Sequence, residues 1–247
     1  MSTTETKQFY NEFSQRVMLK YFRQVNARLE GVKRLCDVHI VNGAKILEVG
    51  CGVGILTKHL QKRASQVIAV EISETGLRVA REYAKRANTD FFLLNLLEDS
   101  DPLEKYGLFD AIVVADVIEH IPKDQHRKLF RLLELFLDPS GVIILTFPST
   151  QHQIYLAEKE PDKLQIIDEI VSVREILSAT SLWPVSVNYF DGDGRNKYIH
   201  LILSANLEYS PGMLTIYQKV IRRVRNFLWA TQNRQFVKHI DRVLSAD

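Results

Sequence analysis

Cysteine and long apolar runs are the features this sequence has least of. It has only two cysteines, Cys36 and Cys51, in 247 residues, which excludes a disulfide framework as its source of stability. No uninterrupted apolar stretch approaches the ~18 residues needed to cross a bilayer, and the first residues lack the apolar core of a signal peptide. We therefore expect a cytoplasmic protein and disfavour a membrane as its partner.

A strong charge of one sign is also missing. Lysine and arginine (32 residues) nearly balance aspartate and glutamate (30 residues), which gives a net charge of +2 and no global field that would attract nucleic acid. We expect no DNA partner and disfavour RNA. The composition, 46% hydrophobic and 25% charged, is that of a globular protein with a real core.

Apolar strands alternate with amphipathic helices through the middle of the chain. Strands such as AIVVA (111–115) and VIILTF (142–147) are apolar without alternation, which is typical of parallel strands buried on both faces. The rhythm predicts an α/β fold with a doubly wound, mostly parallel sheet of seven strands. The last two strands, near 185–190 and 198–205, are too close for a crossover helix, so we expect an antiparallel hairpin at the end of the sheet.

Three segments add to this sheet. Residues 7–41 carry apolar side chains at helical spacing, and they predict an N-terminal helical cap over residues 1–42. The main domain is predicted over residues 43–209, with residues 148–170 as an insertion that lacks strong regular structure. Residues 210–247 hold seven basic and two acidic residues. They are predicted to form a basic amphipathic C-terminal helical extension that packs on its own domain or makes a homodimer.

The strongest motif is the glycine loop LEVGCGVG, which has Gly50, Gly52 and Gly54 at alternate positions. Glycines at the carboxyl edge of a doubly wound sheet let a ligand lie against the backbone. A dinucleotide fingerprint has the spacing G-x-G-x-x-G, but here Ile55 stands where the last glycine would be, which disfavours a nicotinamide oxidoreductase. Glu48, two places before the first glycine, would repel a pyrophosphate and suits the ammonium group of an amino-acid ligand.

The pattern E-x-G-x-G-x-G resembles that of the class I, Rossmann-like methyltransferases. These enzymes use S-adenosylmethionine as methyl donor and release S-adenosylhomocysteine. The resemblance covers residues 45–147 well and the rest by topology, and it implies methylation of a small-molecule acceptor. It also implies a set of donor-binding residues at the strand ends and in the cap: Tyr10, Glu48, Gly50, Cys51, Gly52, Gly54, Glu71, Ile72, Asn95, Leu96, Ala115 and Asp116.

Several of these positions have specific expected roles. Glu71 ends the second strand, where a carboxylate can accept hydrogen bonds from both ribose hydroxyls, and Ile72 would pack on the adenine. The family usually has aspartate at the position of Asn95, but an asparagine carbonyl can still accept from the adenine amino group. Tyr10 is expected near the methionine carboxylate. Cys51 is interpreted as a small, close-packed residue and not as a nucleophile.

The segment ADVIEHI follows the fourth strand, where the methyl acceptor should enter. His120 is the candidate general base, because imidazole titrates near neutral pH. Asp116, Glu119 and His120 also resemble the metal site of quinone-precursor O-methyltransferases and of small-RNA 3′-end methyltransferases, with aspartate in place of the first glutamate. A divalent metal is thus an open alternative that we do not favour, and a purely structural turn is another.

The insertion supplies the candidate acceptor contacts, His152 and Tyr155, because a long insertion at this edge is usually functional. The sequence leaves open whether oxygen or nitrogen is methylated. No D/N-P-P-Y motif follows the fourth strand, which disfavours amino methylation of nucleic acid bases. A donor-binding scaffold that has lost catalysis is the alternative from another functional class.

Overall fold

A computed structural model describes residues 5–6, 8–13, 22, 26–190 and 197–206 of the chain. The helices and strands in chain order are α1 (Ala27–His39), β1 (Lys45–Val49), α2 (Thr57–Leu60), β2 (Gln66–Glu71), α3 (Glu74–Tyr83), β3 (Thr89–Leu93), α4 (Asp101–Glu104), β4 (Phe109–Ala115), α5 (His126–Phe136), β5 (Leu137–Pro148), α6 (Thr150–Lys159), α7 (Val173–Ala179), β6 (Trp183–Phe190) and β7 (Tyr198–Ser204). Residues 8–13 are also helical.

The strands form one seven-stranded sheet in the order β3-β2-β1-β4-β5-β7-β6. Strands β1 to β5 pair with one another in parallel, whereas β7 pairs antiparallel with both β5 and β6. The predicted α/β fold and its terminal hairpin are confirmed. The strand order reverses between β1 and β4, and in such sheets ligands bind at the carboxyl ends of the strands beside this reversal.

Helices cover both faces of the sheet, which explains the continuous apolar strands. Side chains of a strand point alternately to its two faces. Leu47 and Ile112 therefore lie in the core cluster that includes α5. Ile46 and Val113 lie in the opposite cluster, with Val32 of α1. Each of these five side chains has a solvent-exposed fraction of at most 1%.

Two helical predictions need correction. The predicted helical character of residues 7–41 is interrupted at Asn26, where the backbone is extended (φ −98°, ψ 105°) and the side chain caps α1 by accepting from the amide of Leu29. The insertion is also more regular than predicted. Ser149 caps α6 by accepting from the amide of His152. Buried Gln153 anchors that helix through hydrogen bonds to the backbone at 169 and 171.

The third strand ends at Leu93, so Asn95 lies two residues beyond it and not at its end as predicted. The predicted C-terminal extension and its homodimer interface, residues 210–247, lie outside the described residues. No helix in the described ranges is long and apolar enough to cross a membrane.

Candidate active site

A cavity of about 1840 Å³ lies along the carboxyl ends of β1, β2 and β4. Pockets for one small ligand usually measure about 300–1,000 Å³, so this cavity has room for a donor and an acceptor together. The structure brings nearly all of the predicted site residues to its wall, namely Tyr10, Glu48, Gly50, Cys51, Gly52, Glu71, Ile72, Asn95, Leu96, Ala115, Asp116, His120, His152 and Tyr155.

The glycine loop exposes its backbone to this cavity. Gly52 has φ +54°, and a Cβ atom built on it meets no described atom within 4 Å. Its amide donates to the Glu71 carboxylate at 2.8 Å, so the loop is tied to the end of β2. The cradle that a side chain would fill is therefore available to a ligand, as a donor site requires.

Gly54 does not line the cavity. It has φ +82°, and a Cβ atom there would lie 2.9 Å from the Cα atom of Ala80 in α3. Glycine at this position lets the loop approach the helix, so its role in the structure is packing. Gly54 is therefore the one predicted donor-binding residue that the cavity wall does not include.

Glu71 is fixed at the end of β2. One carboxylate oxygen accepts from the amides of Ile72 and Ser73, each at 2.8 Å, and the other accepts from Gly52. Burial raises the pKa of Glu71, and these backbone bonds partly offset that effect. Each carboxylate oxygen has two lone pairs. The oxygen facing Gly52 therefore keeps one for a ligand hydroxyl.

Glu48 is the second carboxylate of the donor region. It is 3% exposed, and its Oε2 atom has no hydrogen-bond partner among the described residues. Burial raises the pKa of Glu48 to about 8. Buried polar atoms are normally paired, so an unpaired carboxylate oxygen at the cavity wall fits a cationic group of a ligand.

Asn95 and Cys51 also line the cavity. The Asn95 side-chain oxygen accepts from the amide of Leu97 at 3.2 Å and keeps a second lone pair for a ligand. Cys51 packs with Ala69 and Leu77, and burial raises the pKa of its thiol well above the ordinary value. A buried thiol of this kind is inert, as the interpretation of Cys51 as a packing residue requires.

His120 is held in one tautomer. Its Nδ1 atom lies 2.8 Å from the carbonyl oxygen of Ile167; a carbonyl can only accept, so Nδ1 carries the proton and Nε2 has the lone pair. Burial lowers the pKa of His120, which keeps the ring neutral near pH 7. The Tyr10 ring packs against it at 6.1 Å. A neutral imidazole with a free Nε2 lone pair has the form of a general base.

Asp116 follows β4 in a left-handed conformation, φ 55°, which a residue with a side chain adopts only under constraint. Its Oδ2 atom lies 2.9 Å from Nη1 of Arg28, and its Oδ1 atom accepts from the hydroxyl of Thr146 at 3.2 Å. Arg28 also lies over the ring of Tyr198, 5.0 Å from its centre. Sequence reasoning missed Arg28, because nothing local marks an arginine in α1 as a partner of β4.

The residues Asp116, Glu119 and His120 do not fit a metal site. The Asp116 carboxylate is already paired with the guanidinium of Arg28. Within the residues that the structure describes, no three His, Cys, Asp or Glu side chains are grouped to hold a metal ion.

One part of the cavity wall is aromatic and lies on α6. The rings of His152 and Tyr155 stack 6.4 Å apart with an angle of 13°, and His152 also meets Tyr198 at 5.9 Å. Tyr155 is 48% exposed at the cavity mouth. Both predicted acceptor contacts thus line the cavity, joined by a tyrosine of β7 that sequence reasoning did not single out.

Residues 46–141 match the family described as a methyltransferase domain. The matched segment is about two fifths of the chain and includes the glycine loop that lines the cavity. Among curated proteins, it is 28% identical over 116 residues to the ubiquinone biosynthesis O-methyltransferase of Vibrio campbellii, which is 47% of this chain and 48% of that protein. It is 32% identical over 125 residues to the protein of the same name from Albidiferax ferrireducens, 50% of this chain and 48% of that protein. The chain thus spans about half the length of the curated relatives it matches.

Solved structures share the fold over a larger part of the chain. Magnesium protoporphyrin IX methyltransferase ChlM from Synechocystis, with bound S-adenosylhomocysteine, has a TM-score of 0.64 and 17% identity, covering 83% of this chain and 100% of that one. The N-methyltransferase NodS from Bradyrhizobium japonicum, also with S-adenosylhomocysteine, has a TM-score of 0.63 and 15% identity, covering 79% and 97%. The domain has the Rossmann-like fold of these proteins.

Proposed function

We propose that this protein transfers the methyl group of S-adenosylmethionine to an oxygen or nitrogen atom of a small metabolite. The observation that carries the proposal is the pairing of an open glycine cradle at Gly52 with two buried carboxylates, Glu48 and Glu71. We further propose a cytoplasmic location, where the two free thiols, Cys36 and Cys51, would stay reduced.

The donor would lie across the carboxyl ends of three strands. Its ammonium group would meet the unpaired oxygen of Glu48, where a positive charge favours the ionised carboxylate. A ribose hydroxyl would donate to the Glu71 oxygen that retains a lone pair. The adenine would lie beside Ile72, with its amino group toward the Asn95 carbonyl. Each of these residues lines the cavity.

The methyl transfer itself needs alignment and a place for one proton. The acceptor lone pair attacks the methyl carbon, the carbon–sulfur bond breaks with its electrons going to sulfur, and S-adenosylhomocysteine forms. A positioned acceptor can supply much of the rate, because the sulfonium already activates the methyl group. The Nε2 atom of His120 would take the proton that the acceptor hydroxyl or ammonium group loses.

A small acceptor is favoured by the shape of the site. The acceptor end is a concave pocket with an aromatic wall, and the described protein offers no separate domain for a macromolecule there. The relatives carry names that specify an O-methyltransferase and an N-methyltransferase. Oxygen and nitrogen are therefore both acceptor atoms in this proposal.

Calorimetry with the purified full chain tests the donor half of this proposal. We expect S-adenosylhomocysteine to bind the wild type and NAD not to bind. In Gly52→Val, the new side chain would occupy the cradle, so S-adenosylhomocysteine binding should be lost while the free energy of unfolding shows whether the variant is folded. Binding of NAD without binding of S-adenosylhomocysteine would overturn the proposal.

A further inference from the structure

The cavity wall around His120 contains buried side-chain oxygens that have no hydrogen-bond partner among the described residues. Glu119 is 2% exposed, and its Oε2 atom has no partner in the described part of the chain; the same holds for the side-chain oxygens of Gln165 and Tyr10. All three residues line the cavity. Because buried polar atoms are normally paired, these unpaired atoms indicate a polar ligand. The amide oxygen of Gln165 and an ionised Glu119 can only accept, so the ligand must offer donors to them, whereas the Tyr10 hydroxyl can donate or accept.

Backbone hydrogen bonds hold these residues close to the proposed base. The carbonyl of Ile167 accepts from the His120 ring at 2.8 Å, and the amide of Glu169 donates to the Glu119 carbonyl at 2.7 Å. The segment 165–169 is thereby fixed beside residues 119 and 120. The Oε1 atom of Glu119 lies 3.8 Å from Nε2 of His120, so the unpaired carboxyl group is adjacent to the base.

The charge of this wall is negative. Asp168 lines the cavity; its carboxylate accepts from the amide of Gln165 at 3.1 Å and has no ion pair within the described ranges. Arg28, a cation that also lines the cavity, lies 2.9 Å from Asp116 and is paired there. Burial, followed by the charge of Asp116, raises the pKa of Glu119 well above its ordinary value. An approaching cation would restore its ionised form.

We propose that the methyl acceptor carries a basic amine and that Glu119, Gln165 and Asp168 bind its ammonium form beside His120. This inference rests on the function proposed above and narrows its acceptor atom to nitrogen. A primary ammonium group supplies three N–H donors and a positive charge. A hydroxyl group supplies one donor and no charge, so it could not donate to both Glu119 and Gln165 and would not balance the carboxylate of Asp168.

The reaction balances with the groups present. The bound ammonium gives one proton to Nε2 of His120 and becomes a neutral amine. The nitrogen lone pair then attacks the donor methyl carbon, the carbon–sulfur bond breaks toward sulfur, and the products are a methylated ammonium and S-adenosylhomocysteine. His120 returns its proton to solvent after product release. The positive charge that leaves the sulfonium appears on nitrogen, close to the two carboxyl groups.

A pair of matched probes tests the inference on the complex with S-adenosylhomocysteine. Benzylamine and benzyl alcohol have the same size and differ in charge and in the number of donors. We expect benzylamine to bind at least about tenfold more tightly than benzyl alcohol, the ratio set by one charge-assisted hydrogen bond. Asp168→Asn and Glu119→Gln should each reduce this preference, whereas the control Glu169→Gln, whose side chain does not line the cavity, should keep it.

The outcomes separate this inference from the proposed function. Equal binding of the two probes, tighter binding of the alcohol, or no binding of either overturns the amine assignment. A preference that Asp168→Asn leaves unchanged also overturns it. Because Asp168 is less buried than Glu119, this variant guards against a fold defect in Glu119→Gln. If S-adenosylhomocysteine itself does not bind, the proposed function fails first; if it binds and the preference is absent, only the amine assignment fails.

Discussion

Arg28 and Asp116 form an ion pair across the cavity wall, with 2.9 Å between Nη1 and Oδ2. The pair links the first turn of α1 to the residue after β4, and the Asp116 side chain is only 16% exposed. In Arg28→Ala the carboxylate would lose a charged hydrogen bond. We expect the free energy of unfolding to fall by about 1.5–3 kcal/mol, measured by urea denaturation.

The control for this variant is Lys33→Ala on the same helix. Lys33 pairs with the more exposed Glu30 at 2.7 Å, and exposed pairs contribute about 0–1 kcal/mol. Equal losses in the two variants would show that burial does not strengthen the Arg28–Asp116 pair.

Glu71 should be required for donor binding. In Glu71→Ala the ribose loses an acceptor, and the amide of Gly52 loses its partner at 2.8 Å. We expect the affinity for S-adenosylhomocysteine to weaken by about 1.5–3 kcal/mol in a calorimetric titration. Glu82→Ala, at an exposed position of α3, should bind like the wild type. Unchanged affinity in Glu71→Ala would remove Glu71 as a ribose ligand.

His120 should affect turnover and not donor binding. We expect His120→Ala to lower kcat about 10²–10⁴-fold, with the affinity for S-adenosylhomocysteine unchanged. Since burial lowers the pKa of His120, the base is already neutral at pH 7. The wild-type rate should therefore fall only as pH drops through that lowered pKa, below pH 6.5. Normal turnover in the variant would leave alignment as the main source of rate.

Gly54 and Gly43 offer a matched comparison of backbone strain and packing. Both have nearly the same φ, +82° and +83°, but a Cβ atom meets Ala80 at 2.9 Å in the first case and nothing within 4 Å in the second. Gly43→Ala should cost about 1–2 kcal/mol for the left-handed backbone alone. Gly54→Ala should cost a further 1–3 kcal/mol, roughly, for overpacking. Thermal unfolding measures both, and equal shifts would contradict the packing role of Gly54.

His200 should make the fold sensitive to acid. Its ring is 5% exposed, stacks on Phe190 at 4.8 Å, and has its pKa lowered by burial to about 4. Between about pH 6.5 and 4 the unfolded chain binds a proton that the folded chain does not, so stability falls as pH falls. In His200→Phe this contribution, about 3 kcal/mol at pH 4, should vanish. An identical pH dependence of unfolding in both proteins would refute it.

Local sequence patterns predict much of this fold, because the apolarity of each strand and the length of each connection determine how the strands are buried and paired. The apolar strands AIVVA and VIILTF fix a sheet covered on both faces, and the short link after Phe190 fixes the hairpin. Glu48, Gly52 and Glu71 could be placed because strand ends in a doubly wound sheet converge at one edge.

Other features depend on contacts between distant segments. Nothing near Arg28 in sequence predicts its pairing with Asp116, 88 positions later. The helix α6 was missed because its anchor, Gln153, bonds to backbone groups 16 and 18 residues away. Gln165 and Asp168 reach the cavity only because segment 165–169 binds back on Glu119 and His120.

The position of β7 in the sheet has a consequence for how the protein is made. Its residues 198–204 pair with residues 142–148 of β5, and Ile143 and Ile144 there are completely buried. Chains fold from the N-terminus as the ribosome extends them. The edge of β5 that pairs with β7 therefore stays uncovered while residues 149–197 are synthesised. An open apolar strand edge is a template for aggregation. Completion of this sheet must wait for the last of its strands to leave the ribosome.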